Sequence, residues 1–384
     1  MDLHLLKQRV LLLLLQGFRQ KASELLNQFL SGIKFMKFLI RAVQMSSKKV
    51  VISGYYGFDN FGDDAILSVL CEKLKSLSAD ITVISANPQK TAKDFLVNSV
   101  KNFDLPNLLK TISDSEILIS GGGSLLQDVT SLKSLLYYSF VLFSALVMRK
   151  DVIIFAQGIG PLNRRISKLL VNSILQHAKF VSVRDEKSQA LLADWKINAK
   201  LVNDPVFSLS IQEIPKNFAI GVQLREFSTM NDAFLVSLAQ FLLNDFPNRK
   251  IELFIFQKAL DERVCKKFAN IVKSQNPHVE VELIYYENRT EIFKRIAQLD
   301  YMFAMRFHAV IAAIKAGVKT AAIDYDIKVQ RLAEEASIPL ISLMAEENDF
   351  NAIFDSIKSL SPARLSDFAN SKQFDWSEIE TLFL

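Results

Sequence analysis

From Lys48 onward the chain alternates short apolar runs with helical patterns, and few folds accept such an alternation. Runs at 48–53, 81–85, 116–120, 151–156, 180–183 and 200–202 read as strands, separated by helical patterns near 63–76, 104–113, 131–149, 163–177 and 185–195. This order predicts a parallel sheet with helices on both faces. Pro205 to Lys216 contains Pro205, Pro215 and few helix formers, and reads as an interdomain linker. A second alternation follows, with strands expected at 218–224, 250–256, 279–285, 301–304 and 319–323. Helices are expected there at 231–245, 260–275, 289–299, 308–316 and 327–336. The expected fold is α/β, with two Rossmann-like domains at 48–212 and 213–345 facing a cleft. Residues 346–384 read as helices that pack back on the first domain. Leu132–Met148 is apolar almost throughout but lies between strands, so it is expected as a buried or dimer-contacting helix.

The first unit, Val51-Ile-Ser-Gly-Tyr-Tyr-Gly-Phe-Asp-Asn-Phe-Gly-Asp-Asp-Ala-Ile-Leu67, joins a strand, a glycine turn and an acid-capped helix with Asp63 or Asp64 at its start. Gly54, Gly57 and Gly62 match neither the dinucleotide fingerprint nor a P-loop. Glycine permits a tight turn and also close approach of a ligand to the backbone, and both readings stand.

Residues 1–47 hold seven bases and two acids, while the other 39 bases and 39 acids cancel. The body is therefore electrically balanced, which argues against nucleic acid as a partner. The extension reads as basic amphipathic helices broken near Gly17 and Gly32. Three readings are open for it: a peripheral membrane contact, an arm packed on the body or a partner subunit, and translation starting at Met45. Val10–Leu15 is too short to span a bilayer and has no small-residue cleavage site, so neither a membrane span nor a signal peptide is expected. Cys71 and Cys265 read as buried free thiols of a reducing, cytoplasmic compartment, and no metal-ligand spacing is evident.

Four further segments stand at expected strand ends. They are Ser120-Gly-Gly-Gly-Ser-Leu-Leu-Gln-Asp128, Gln157-Gly-Ile-Gly-Pro161, Val183-Arg-Asp-Glu-Lys-Ser188 and Met305-Arg-Phe-His-Ala309. Together with the first turn, in this order, they resemble the polysaccharide pyruvyl transferase family, in particular its CsaB-like members. The resemblance runs from about Lys48 to about Pro339. It implies a GT-B-like fold and transfer of a pyruvyl group from phosphoenolpyruvate onto two hydroxyls of a polysaccharide or lipid-linked glycan. The product is a ketal, phosphate is released, and no cofactor is required. Such a reaction belongs to polysaccharide biosynthesis for the cell wall or cell envelope, in the cytoplasm or at the inner membrane face.

Phosphoenolpyruvate carries a phosphate and a carboxylate, which call for cations. Arg306, Arg225, Arg184 and Lys328 are the donor-binding candidates. The resemblance assigns Arg306 and His308 to donor binding and catalysis, and His308 suits acid–base work near neutral pH. Gly54, Tyr55, Gly57, Asn60, Asp63, Asp64, Gly122, Gly123, Gln157 and Gly158 form the expected acceptor rim, with Asp63 or Asp64 as a secondary acid–base group. About half of Asn60, Asp63, Asp64 and Asp128 are expected as helix caps. Ile327 stands where the family usually has proline, and Asp64 where it usually has glutamate. The competing enzyme reading is a nucleotide-sugar glycosyltransferase, with Asp324 or Asp326 at the ribose. A glycan-binding protein on a retired enzyme fold is the non-enzymatic reading, and the pair Arg306 and His308 weighs against it. Homo-oligomerisation is open.

Overall fold

A computed structural model describes residues 47–384 apart from 130, 212, 213, 229, 346 and 384. The helices expected in the extension therefore lie outside the described residues.

The first sheet contains β1 (Lys49–Ser53), β2 (Asp80–Ser85), β3 (Asn98–Lys101), β4 (Ile117–Ser120), β5 (Asp151–Gln157), β6 (Phe180–Val183) and β7 (Lys200–Leu201). Their order is β3-β2-β1-β4-β5-β6-β7, with every pairing parallel. The second contains β8 (Ile220–Gln223), β9 (Ile251–Ile255), β10 (Val281–Tyr285), β11 (Tyr301–Ala304), β12 (Lys319–Asp324) and β13 (Leu340–Ser342). Its order, β10-β9-β8-β11-β12-β13, is also parallel throughout. The chain thus forms an α/β fold of two Rossmann-like lobes. In each sheet the strand order reverses once, between β1 and β4 and between β8 and β11. Those reversals open crevices beyond the strand ends, where ligands of such sheets bind.

Two edge strands, β3 and β13, escape the sequence pattern. Asn98-Ser-Val-Lys101 has one apolar residue and is half exposed, and Leu340–Ser342 is only three residues long. Neither generates the apolar run that marks an inner strand.

Alternate residues of β1 divide the packing, as the period of a strand requires. Val51 faces Leu135 and Leu142 of helix Leu132–Val147 and Val171 and Ile174 of helix Arg165–Gln176. Val50 and Ile52 face a core that continues into the second lobe. The C-terminal helices cross back to this side. Phe374 and Trp376 pack on Phe155 of β5, at ring distances of 4.9 and 5.5 Å, and Asp375 pairs with Lys200 at 2.9 Å.

Helix Leu132–Val147, expected as buried or dimer-contacting, is buried on its inner face only. Leu136, Phe140, Phe143 and Val147 remain exposed on the other side. The segment read as a linker starts as a 3-10 turn, Pro205–Ser208, with Val206 and Phe207 buried in the shared core. Cys71 and Cys265 are buried free thiols.

Candidate active site

Helix Phe61–Ser76 begins at the reversal point of the first sheet. Its cap is Asn60, whose Oδ1 accepts from Gly62 N at 3.2 Å, rather than Asp63 or Asp64. The two acids occupy the first turn, where the free N–H groups favour negative charge. Phe61 is fully buried and carries the helix start into the second lobe, 4.1 Å from the Phe256 ring and 5.1 Å from Phe293. Asp64 accepts a hydrogen bond from Tyr286 Oη at 2.7 Å, so this carboxylate ties the lobes together. Burial pushes Asp64 up to about 6, with the Tyr286 hydrogen bond opposing.

The second reversal point delivers Met305-Arg306-Phe307-His308. Gln223, at the end of β8, accepts from Arg306 N at 2.8 Å through its side chain and from Met305 N at 3.0 Å through its carbonyl. Arg306 Nε lies 3.1 and 3.0 Å from the two carboxylate oxygens of Asp261, and its Nη2 lies 2.6 Å from Oδ1. Asp261 is fully buried and also accepts from Phe256 N and Gln257 N, each at 2.9 Å. The guanidinium is held in one orientation by this buried carboxylate and by Gln257 Oε1, which accepts from Nη2 at 3.2 Å.

His308 opens helix Phe307–Lys315, with Nε2 3.4 Å from Asp204 Oδ2. The same oxygen accepts from Arg184 Nη1 at 2.7 Å. Burial raises the Asp204 carboxyl, but the charges of His308 and Arg184 and its hydrogen bonds outweigh this and hold it well below the carboxylate range. The other side of His308 meets Gly62. A Cβ added there would collide with Nδ1, so this glycine is required by the imidazole.

Asp63 faces the same space. Burial is the main cause that pushes it up to about 7; the neighbouring Asp64 adds to this, while Arg184 and Arg306 pull it down. Asn60 Nδ2 donates to Asp63 Oδ2 at 2.5 Å. Lys328 is pushed down by burial and by the charge of Arg184. Asn60, Gly62, Arg184, Phe256, Arg306, Phe307, His308, Tyr325, Asp326 and Lys328 line one cleft of about 160 Å³. Arg225 stands behind Tyr325, with its guanidinium 5.6 Å from the ring centre, and its Nε is buried without a partner.

The glycine rim divides in two. Gly54 and Gly121 lie against the buried ring of Tyr56, Gly57 (φ 78°) turns against Ser85 and Asn87, and Gly122 packs on Ile66. Gly123 (φ 100°) and Gly158 face the functional groups instead. A Cβ on Gly123 would lie 3.1 Å from Asp63 Oδ1, and one on Gly158 would lie 3.7 Å from Lys328 Nζ. Gln157 is fully buried and donates to Ser120 Oγ and Gly121 O at 2.6 and 2.7 Å. Tyr55 stacks on the exposed Phe58 with ring centres 4.2 Å apart. Asp128 pins the loop before helix Arg165–Gln176, accepting from Asn163 N and Arg164 N at 2.8 and 2.9 Å. Among the described residues no group of three or more His, Cys, Asp or Glu is placed to hold a metal ion.

A family model for polysaccharide pyruvyl transferase matches residues 60–327. The chain belongs to the polysaccharide pyruvyl transferase family. No curated protein matches it in sequence. Its fold is shared with the UDP-GlcNAc 2-epimerase from Methanocaldococcus jannaschii (TM-score 0.60, 11% identity, covering 87% of this chain and 99% of that one). It is also shared with Anabaena Alr3699/HepE, solved in complex with UDP and glucose (TM-score 0.59, 13% identity, 87% and 98% covered). A third similar structure is the Neisseria meningitidis UDP-GlcNAc 2-epimerase bound to UDP-GlcNAc (TM-score 0.58, 12% identity, 88% and 99% covered). At these identities the likeness concerns the fold, which is GT-B-like.

In this member of the family, Arg184, Arg306, His308 and Lys328 meet around one cleft, with Arg225 behind Tyr325. Asn60, Gly62 and Arg184 reach it from the first lobe, with Asp63 hydrogen-bonded to Asn60, whereas Asp64 is engaged with Tyr286. Ile327, in the position of the family's usual proline, still starts its helix because Asp326 accepts from Lys328 N at 2.9 Å. Sequence reasoning missed Asp204, Asp261 and Gln223, the three groups that orient His308 and Arg306. Asp204 precedes Pro205 in what reads as a linker, and Asp261 lies inside a helix, so neither position carries a local signal.

Proposed function

We propose that the protein transfers the pyruvyl group of phosphoenolpyruvate onto two hydroxyls of a glycan. The observation that carries this reading is the convergence of Arg184, Arg306, Lys328 and His308 on one cleft where the two reversal points face each other. Burial, together with the charge of Arg184, disfavours the charged form of Lys328, and an anion bound in the cleft relieves that cost. A phosphate and a carboxylate on one small donor fit such a set.

The reaction balances without an outside reagent. A proton added to the donor methylene makes a methyl group and leaves the adjacent carbon electrophilic. One hydroxyl oxygen bonds to that carbon, and the second replaces the phosphate. Of the two hydroxyl protons, one matches the proton gained by the methyl and the other leaves with phosphate. His308, oriented by Asp204, delivers the proton to carbon, and Asp63 accepts one from the acceptor. Gly123, Gly158, Asn60 and the Tyr55–Phe58 stack supply an acceptor side of backbone amide, polar and aromatic groups. The five segments favour the CsaB-like branch, acting in the cytoplasm on a cell-envelope glycan and needing no cofactor.

Phosphate release from phosphoenolpyruvate tests this directly. We expect release that depends on a β-linked amino-sugar acceptor and is lost in His308→Ala. A nucleotide-sugar reading draws on the fold shared with structures holding UDP. Two engagements weigh against it: Asp324 accepts from Gln330 Nε2 at 2.9 and 2.8 Å, and Asp326 caps a helix. Thermal stabilisation by UDP but not by phosphoenolpyruvate would overturn the pyruvyl reading.

A further inference from the structure

We propose that the outer face of helices Leu132–Val147 and Arg165–Gln176 docks on an anionic lipid bilayer. Leu136, Phe140, Phe143 and Val147 follow one another at helical spacing on a single face, with 50, 39, 56 and 65% of their surface exposed. The adjacent helix packs beside them on the same side of the sheet and leaves Ile166 and Leu169 exposed by 71 and 70%. Single exposed apolar residues are ordinary, but a set of six on two touching helices calls for a partner.

Charge selects the partner. From Val129 to Lys179 the sequence has seven bases and one acid, Asp151, which pairs with Lys179 at 3.4 Å. Lys133, Arg149, Arg164, Arg165 and Lys168, on or beside the two helices, are all exposed. The chain from Lys48 onward is balanced only as a whole, so this stretch concentrates positive charge and the rest is net acidic. Apolar side chains bordered by cations match the interface of a bilayer with anionic headgroups. A second copy across a two-fold axis would set the same bases against each other. Residues 1–47 of the same chain, with seven bases and two acids, carry the same sign of charge as this face.

The position suits a glycan carried on a lipid. Asp128 fixes the start of the second helix to the loop that follows Gly123, so a docked face holds the Gly123–Gly158 rim beside the membrane. Docking itself involves no step of the transfer reaction, and its test stands apart from that reading.

The test is flotation of the full-length protein with vesicles of phosphatidylcholine, alone or mixed equally with phosphatidylglycerol. We expect binding to the mixed vesicles only. The Phe140→Ser/Phe143→Ser variant should bind about tenfold less. Arg165→Glu/Lys168→Glu should lose binding as well and keep the wild-type Tm because both positions are exposed, while Phe140→Ser/Phe143→Ser should retain a cooperative melting transition. Wild-type binding in both variants would move the contact elsewhere and overturn the proposal, as would failure of the wild type to bind. A solution dimer that Phe140→Ser/Phe143→Ser dissociates would also overturn it, assigning the face to a second copy.

Discussion

Asp261, without any exposed surface, grips Arg306 through Nε and Nη2 at 2.6–3.1 Å while accepting from two backbone N–H groups. The arginine that the cleft presents is therefore fixed by a carboxylate 45 residues earlier in the chain. Removing one member of a buried pair leaves an uncompensated charge, at a cost of about 3–5 kcal/mol. Asp261→Asn should lower Tm and reduce turnover together. Arg306→Lys should reduce turnover more than stability, since a lysine keeps the charge but not the fork. Calorimetry with a phosphate-release assay separates the two.

His308→Ala removes the proposed proton donor but no core contact. Loss of a general acid or base costs about 10²–10⁴-fold in rate. The variant should stay folded with a lowered Tm, because buried Asp204 keeps Arg184 but loses His308, and Asp204→Asn should show a smaller loss of rate with an altered pH profile, as a positioning residue does. Wild-type turnover in a folded His308→Ala protein would remove the imidazole from the mechanism.

Gly62→Ala reverses a general rule. Glycine to alanine in a helix usually stabilises by about 0.5–1 kcal/mol. Here the added Cβ meets His308 Nδ1. Activity should fall at least tenfold while Tm rises little or drops, and unchanged kinetics would show that the imidazole tolerates displacement.

Asp63 predicts opposite trends in stability and rate. Its folded value of about 7 lies above the ordinary 3.8, so the folded state holds a proton that the unfolded chain has released. Stability should fall as pH rises from about 4 to about 7 and then level off. The rate should rise over the upper part of that range as the base is freed. Asp63→Asn should flatten that part of the stability profile and abolish the rise in rate, measured by Tm and phosphate release across pH.

The β/α order, the reversal-point segments and the cleft cations were legible because each is written locally. An inner parallel strand needs a continuous apolar run, a turn needs its glycine, and Arg306 and His308 sit two residues apart at one strand end. The edge strand at Asn98–Lys101 was not legible, since an exposed edge has no apolar run to display. Helix Leu132–Val147 read as buried or dimer-contacting because mean apolarity does not reveal which face is covered.

The sequence alone determined that this chain forms parallel α/β units and which residues bear cations and an imidazole at their ends. Only the tertiary structure decided which of those groups work together. It placed Asp261 under Arg306, Asp204 beside His308, and Tyr286 on Asp64, turning one of two adjacent acids into a brace and leaving Asp63 against Asn60 at the cleft edge. The reason is physical: a chemical group announces itself in sequence, but its partner is fixed by packing across positions far apart in the chain.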